Sequence, residues 1–321
     1  MTAPLQGAAG SQSCPPDWLA LREPADADAR SATLAAALRD ALPPGPLLVR
    51  DLGCGTGSMS RWLAPLLHRR RDDRPAQADR PAPPDHPAHP HRSTRPAPPD
   101  LPAPPDQPAQ PDQPAPPDQH WMLHDRDAEL LRHAVADLPA GVTGEAAPGD
   151  LTALDATALA GTSLVTASAL LDMLTADEIE ALADACTGAG VPALLTLSVT
   201  GRVRFDPADP LDRELAAAFD DHQRRVTGGR RLLGPDAAAA ATDAFTRRGA
   251  RVRTAETPWQ LGPDRPGLLR EWLAGWLDAA CEQRPELNGP AGAYRDRRDR
   301  EQAAGTLRVT VGHADLLALP A

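Results

Sequence analysis

An α/β fold with a mainly parallel sheet is what this sequence predicts, on three observations. Segments of helical periodicity alternate with short apolar runs along most of the chain. One such run, Pro46 to Leu52, leads directly into three closely spaced glycines, as a buried parallel strand does when it turns into a helix. The long stretch that fits neither pattern is a tandem repeat, and the alternation resumes on its far side. At 321 residues, 41% of them hydrophobic, the chain is long enough for one large domain with a sizeable core.

The first helix is expected over Asp28 to Leu42 (DARSATLAAALRDAL), stopped by a Pro-Pro-Gly sequence. Pro46 to Leu52 (PLLVRDL) is the first strand, and Ser58 to Leu67 a short helix whose length Pro65 limits. After the repeat come a strand, His120 to His124 (HWMLH), and a helix, Asp127 to Ala136. Ser163 to Ala167 (SLVTA) is the next strand. Thr175 to Ala189 follows as a helix that opens on Thr175-Ala176-Asp177-Glu178, a spacing that lets hydroxyl and carboxylate satisfy the first backbone donors reciprocally. Val191 to Val199 (VPALLTLSV) is a strand, Pro235 to Arg248 an alanine-rich helix, and Ala250 to Thr257 a further strand. Gly267 to Glu282 is an amphipathic helix with Leu269, Trp272, Leu273, Trp276 and Leu277 on one face. A strand from Thr306 to Val311 closes the series.

The repeat occupies residues 72–118. From Pro96 to Gln119 it reads PAPPDL, PAPPDQ, PAQPDQ, PAPPDQ, with two earlier copies from Pro81 to Arg92. Prolines at this density lack backbone donors and fix φ, so the insert is expected to be an extended, disordered, polyproline II-like segment. Two accounts fit it. One is repeat expansion in a tolerant surface loop, since loop closure costs only logarithmically with length. The other is a docking site for a proline-reading partner.

Composition removes several functions. The formal net charge is −11, which argues against a nucleic-acid partner bound through a basic face. The chain contains no lysine, so a pyridoxal-phosphate Schiff base and a phosphate-binding P-loop are both excluded. Cys14, Cys54, Cys186 and Cys281 are far apart, which fits neither a zinc site nor a disulfide framework; no metal is expected. No secretory signal pattern and no run of about 18 apolar residues is found, so a cytoplasmic protein without a membrane partner is expected.

The chemistry is carried by Val49-Arg50-Asp51-Leu52-Gly53-Cys54-Gly55-Thr56-Gly57-Ser58. Glycines at such a turn let the backbone approach a ligand closely. The dinucleotide fingerprint would need Gly or Ala at position 58, where Ser58 stands. The spacing, with an acid two residues before the first glycine, resembles the first motif of the class I S-adenosylmethionine-dependent methyltransferases. In that family a second acid, which holds the ribose, follows about 20 residues on at the tip of the next strand. Here Asp125 lies 68 positions after Gly57; the insert accounts for 47 of these, and 21 remain. Helix capping is the competing role for Asp125.

The resemblance extends from about Trp18 to Val311. It implies a Rossmann-like three-layer α/β/α sandwich, with a mostly parallel seven-stranded sheet and an antiparallel strand near the C-terminus. Residues 1–45 would be a helical segment over the cofactor site and residues 46–321 the methyltransferase domain, interrupted by the insert. Gly53, Cys54, Gly55 and Gly57 would pass close to the methionine moiety, with Asp51 near its ammonium. Asp125 would hold the ribose, Asp150 and Leu151 the adenine edge, and Arg126 its face. Ser168 lies in the segment Ser163 to Asp172 that resembles the strand lining the methyl group, and Arg22 would pair with the methionine carboxylate.

The implied reaction is methyl transfer to a small-molecule acceptor by in-line displacement, for which the protein supplies proximity and a desolvated pocket. A base is needed only if the acceptor must lose a proton. Asp172 and His222 are the candidate catalytic groups, each with a plainer alternative: a helix cap for Asp172, an exposed histidine on a charged helix for His222. Trp259 and Tyr294 are candidates to line the acceptor pocket. The rival readings are a methyltransferase acting on RNA or protein, and a non-catalytic scaffold that retains the fold.

Overall fold

A computed structural model of the protein describes residues 14–68, 118–149 and 155–321. The chain divides into a body, residues 1–67 and 117–321, and a second unit, His68–Pro116. The proline-rich repeats therefore fall outside the described residues, apart from Asp118 and Gln119 at their end. Asp118 already belongs with the sheet: its carbonyl accepts the Leu47 amide at 2.9 Å.

In chain order the elements are α1 (Pro16–Ala29), α2 (Ala32–Ala41), β1 (Leu47–Leu52), α3 (Ser58–Leu67), β2 (Gln119–Asp125), α4 (Ala128–Ala136), β3 (Val142–Pro148) and β4 (Leu164–Ser168). Then come α5 (Ala176–Gly188), β5 (Ala193–Asp206), α6 (Asp212–Gln223), a two-strand ribbon of β6 (Val226–Thr227) and β7 (Arg230–Arg231), and α7 (Ala237–Arg247). The rest is β8 (Arg251–Glu256), β9 (Trp259–Leu261), α8 (Pro266–Gln283), α9 (Asn288–Ala303) and β10 (Arg308–Leu319).

The main sheet runs β3-β2-β1-β4-β5-β10-β8, with β9 pairing on β10. The five strands from β3 to β5 are parallel, and β10 is antiparallel to both β5 and β8. This is the three-layer, mostly parallel class I methyltransferase architecture. The seven strands of the path match the expected number, and β9 is an addition. Alternation along the strands sends Val165, Ala167 and Leu195 into a core under α5 and α7, and Val49, Leu123 and Leu194 into a core under α2, α3 and α4. A third, aromatic core lies where β5 and β10 run past the parallel strands and meet α1, α6, α8 and α9.

The helix expected over Asp28 to Leu42 is two helices, because the chain breaks at Arg30 and Ser31. The Ser31 hydroxyl caps α2 by accepting the Leu34 amide at 3.2 Å, while the Arg30 side chain turns inward. Asp315 on β10 is the internal tie of this region. Its carboxylate accepts the Ser31 amide (2.8 Å), the Leu197 amide (2.8 Å) and the Thr257 hydroxyl (2.9 Å). Leu197 needs that hold, since its φ of 57° is unfavourable for a side chain with a Cβ.

Candidate functional site

A cavity of about 1010 Å³ opens at the carboxyl ends of the parallel strands, where ligands collect in open α/β sheets. Its floor is the bend after β1. Gly53, Gly55 and Gly57 have φ of 64°, 56° and 84°, the left-handed region that favours glycine. A Cβ on Gly57 would lie 3.1 Å from the Cα of Ala134, so the bend also fits tightly under α4.

The adjacent strands carry the two acids. β1 and β2 are paired in parallel, with Asp51 opposite Leu123 and Leu52 opposite His124. The bend is stitched to the end of β2 by Cys54 N–H to the His124 carbonyl (2.9 Å) and by Gly55 N–H to Asp125 Oδ2 (3.0 Å). Asp125 Oδ1 accepts the Asp127 amide at 3.0 Å. The cap of α4 is Asp127, whose carboxylate accepts the Glu129 and Leu130 amides, so Asp125 is not spent on capping. Asp125 therefore faces the glycine bend and lines the cavity.

Asp51 is fully buried at the cavity floor, and neither carboxylate oxygen has a hydrogen-bond partner. Burial pushes its pKa up to about 8, against the pull of Arg30 and with a smaller push from Asp125. Arg30 donates to Ser58 Oγ (3.0 Å), the Ser58 carbonyl (3.4 Å) and Ser168 Oγ (2.9 Å), with its Nε left buried and unpartnered. Burial lowers its pKa. The floor thus holds a desolvated acid without donors, a costly arrangement that a bound cationic group relieves.

Helix α1 roofs the bend. Leu19 lies 3.3 Å from where a Cβ on Gly55 would stand, and Glu23 clamps Arg61 of α3 at 2.6 Å while Arg61 also donates to the Thr56 carbonyl. Arg22 lines the cavity with its Nε and Nη2 on Asp26 (2.9 and 3.2 Å) and its guanidinium 4.9 Å from the Trp259 ring. Arg126, Cys54 and Gly149 also line it. Asp150 and Leu151 lie outside the described residues.

Beyond β4 the lining changes character. Ser168, Ala169 (φ 51°) and Leu170 lead into a short turn carrying Asp172, which lines the cavity. Asp172 caps nothing: α5 is capped by Thr175, in the reciprocal pattern expected with Glu178. Burial raises the Asp172 pKa to about 6, opposed by its own backbone N–H and by Arg22 and Arg225. His222 is not brought to this cavity. It is buried in α6, its pKa lowered by burial and then by Arg225, and its carbonyl rather than its ring takes the Arg225 donor. The next residue, Gln223, lines the cavity instead. Trp259 does so too, whereas Tyr294 is in the aromatic core with its hydroxyl donated to Asp212 at 2.7 Å.

His313 is a cavity residue that sequence reasoning missed. It follows a register shift in β10 between Val311 and His313, beyond the expected end of that strand. The signal was there in His313-Ala314-Asp315, polar residues interrupting an apolar strand.

No family model matches the sequence, and no curated protein matches it. Many solved methyltransferase structures resemble the chain across most of its length. A candidate methyltransferase of Bacillus halodurans is 12% identical, covering 91% of this chain and 100% of its own at a TM-score of 0.44. A mycolic acid cyclopropane synthase complexed with S-adenosylhomocysteine is 12% identical, covering 88% and 82% at 0.41. An S-adenosylmethionine-dependent methyltransferase from Mesorhizobium loti is 17% identical, covering 86% and 95% at 0.36. These likenesses concern the chain path; the functional reading rests on the residues of the cavity. Among the described residues no helix is long and apolar enough to cross a membrane.

Proposed function

We propose that the protein binds S-adenosylmethionine in this cavity and transfers its methyl group to a small-molecule acceptor. One observation carries the reading: at the floor, beside a glycine bend that admits close backbone approach, Asp51 has both oxygens buried and unpartnered. A ligand ammonium is the kind of group that satisfies such an acid. Asp125, one strand over, uses one lone pair of each oxygen on the loop and keeps others for ribose hydroxyls. Arg126, which lines the cavity, would cover the base, and Arg22, whose bonds to Asp26 use Nε and Nη2, would offer Nη1 to a carboxylate.

When bound, the sulfonium supplies a methyl group already activated for displacement. The chain's own part is to hold donor and acceptor in line and to exclude water. The roof formed by α1 and the apolar lining beyond β4 serve the second task. Ligand pockets span about 300–1000 Å³, so a cavity of about 1010 Å³ has room for a nucleoside ligand and a second small molecule.

The test is calorimetry with S-adenosylhomocysteine. Binding near one equivalent is expected, weakened about tenfold or more by Asp125→Asn, which removes a charge-assisted acceptor. No heat with the unaltered protein would overturn the cofactor reading and favour a scaffold.

A further inference from the structure

The cofactor reading explains the cavity from β1 to β3 and leaves its other end, between β5, β10, α6 and α8, without an occupant. The walls there are aromatic: Trp18, Trp259, Trp272 and Phe219. The cations at this end are matched within the protein. Arg22 is held by Asp26, which also accepts the Trp259 indole N–H at 3.0 Å, and Arg230 is fastened to Glu178 at 3.0 and 2.6 Å. With the remaining Arg22 nitrogen assigned to the cofactor carboxylate, an anion on a second ligand has no dedicated counter-charge to meet.

The chamber offers three acceptors. Gln223 is 4% exposed and its Oε1 is buried without a partner. His313, also 4% exposed, has Nδ1 at 3.1 Å from the Val311 carbonyl, which places its proton on Nδ1 and leaves Nε2 a bare lone pair. Asp172 adds a carboxylate that helix capping does not use. The Gln223 oxygen, buried without a donor, is costly as it stands, so the fitting ligand brings one.

Resting on the cofactor reading, we propose that this chamber takes a neutral aromatic small molecule bearing a hydroxyl, and that Asp172 receives its proton. An ammonium is the less fitting donor, because Arg22 and Arg225 already offset the Asp172 charge. The pKa of Asp172, raised by burial to about 6, leaves it ionised at neutral pH and a stronger base than an ordinary carboxylate. The step balances. A hydroxyl lone pair forms the O–CH3 bond, the proton passes to an Asp172 oxygen, and the pair of the broken C–S bond stays with sulfur. A sulfonium and a carboxylate become a thioether and a carboxylic acid.

Calorimetry at pH 7 with 4-cyanophenol, 4-cyanoanisole, 4-cyanobenzoate and 4-cyanobenzylamine, in the presence of S-adenosylhomocysteine, tests this. The phenol is expected to bind about tenfold or more tightly than the other three. Asp172→Asn and Gln223→Leu should each erode that preference, with S-adenosylhomocysteine affinity unchanged in Gln223→Leu. Equal binding of phenol and anisole, tighter binding of the benzoate or the amine, or a preference that survives both substitutions would overturn the assignment. S-adenosylhomocysteine binding without a phenol preference sinks the chamber proposal alone. A phenol preference in a protein that gives no heat with S-adenosylhomocysteine sinks the cofactor reading and leaves the chamber as a phenol site.

Discussion

Replacing Asp51 by Asn should make the ligand-free protein more stable and unable to bind its cofactor. Burial holds the Asp51 pKa at about 8 in the folded chain, against about 4 in the unfolded one. Between those values the folded state keeps a proton that the unfolded state has lost, so stability falls as pH rises through that window. At 1.36 kcal/mol per unit, about 4 kcal/mol has been lost by pH 7 and about 1 kcal/mol by pH 5. Asparagine has the same shape and never ionises, but it buries an amide without partners, at a cost of about 1–3 kcal/mol. The net gain is therefore about 1–3 kcal/mol at pH 7, growing to pH 8 and vanishing near pH 5. Urea unfolding of both proteins at pH 5, 7 and 8 gives the difference directly, and contributions from other titrating groups cancel in it. A difference independent of pH, or a variant less stable than the parent at pH 8, would refute the desolvated-acid account.

Gly57→Ala should destabilise the fold by about 1–3 kcal/mol in denaturant unfolding, since φ is 84° and the new Cβ meets Ala134 backbone and side chain at 3.1–3.4 Å. His222→Gln should leave methyl transfer within about threefold in a rate assay, because the ring does not line the cavity; a loss of about 100-fold or more would restore it to the mechanism. Deletion of residues 72–117, with Asp118 kept for its bond to Leu47, should change unfolding free energy by less than about 1 kcal/mol, given the weak dependence of loop closure on length.

The glycine bend and its partner acid were legible because the information is local. A strand, three glycines and an acid at fixed spacing specify the turn, and the proline hexads that hide the spacing announce themselves by composition. What was illegible depended on tertiary support. β3 reads Val-Thr-Gly-Glu-Ala-Ala-Pro, an edge strand with little burial, so no apolar alternation marks it. α9 opens Asn-Gly-Pro and is dense in charge; it is held by Tyr294 and by Arg298, which pairs with Asp212 and donates to the Pro207 carbonyl. β10 runs eight residues past the expected end, through Gly312 and the buried Asp315, because the three donors that satisfy Asp315 come from distant segments. His313 was lost with it.

The same acid that weakens the empty protein ties its ligand to a proton. With its pKa pushed up to about 8, Asp51 is mostly protonated at pH 7. A ligand ammonium beside it favours the charged form, so binding must expel that proton. The heat of S-adenosylhomocysteine binding at pH 7 then depends on the buffer: measured in phosphate and in Tris, it should differ by most of the difference between the two ionisation enthalpies. At pH 8 that fraction should fall, because more of the Asp51 carboxyls are already ionised. A heat that is the same in both buffers at pH 7 would mean that Asp51 is charged before the ligand arrives. Its unpartnered burial could then not be the source of affinity, and the stability gain expected of Asp51→Asn would have to vanish with it.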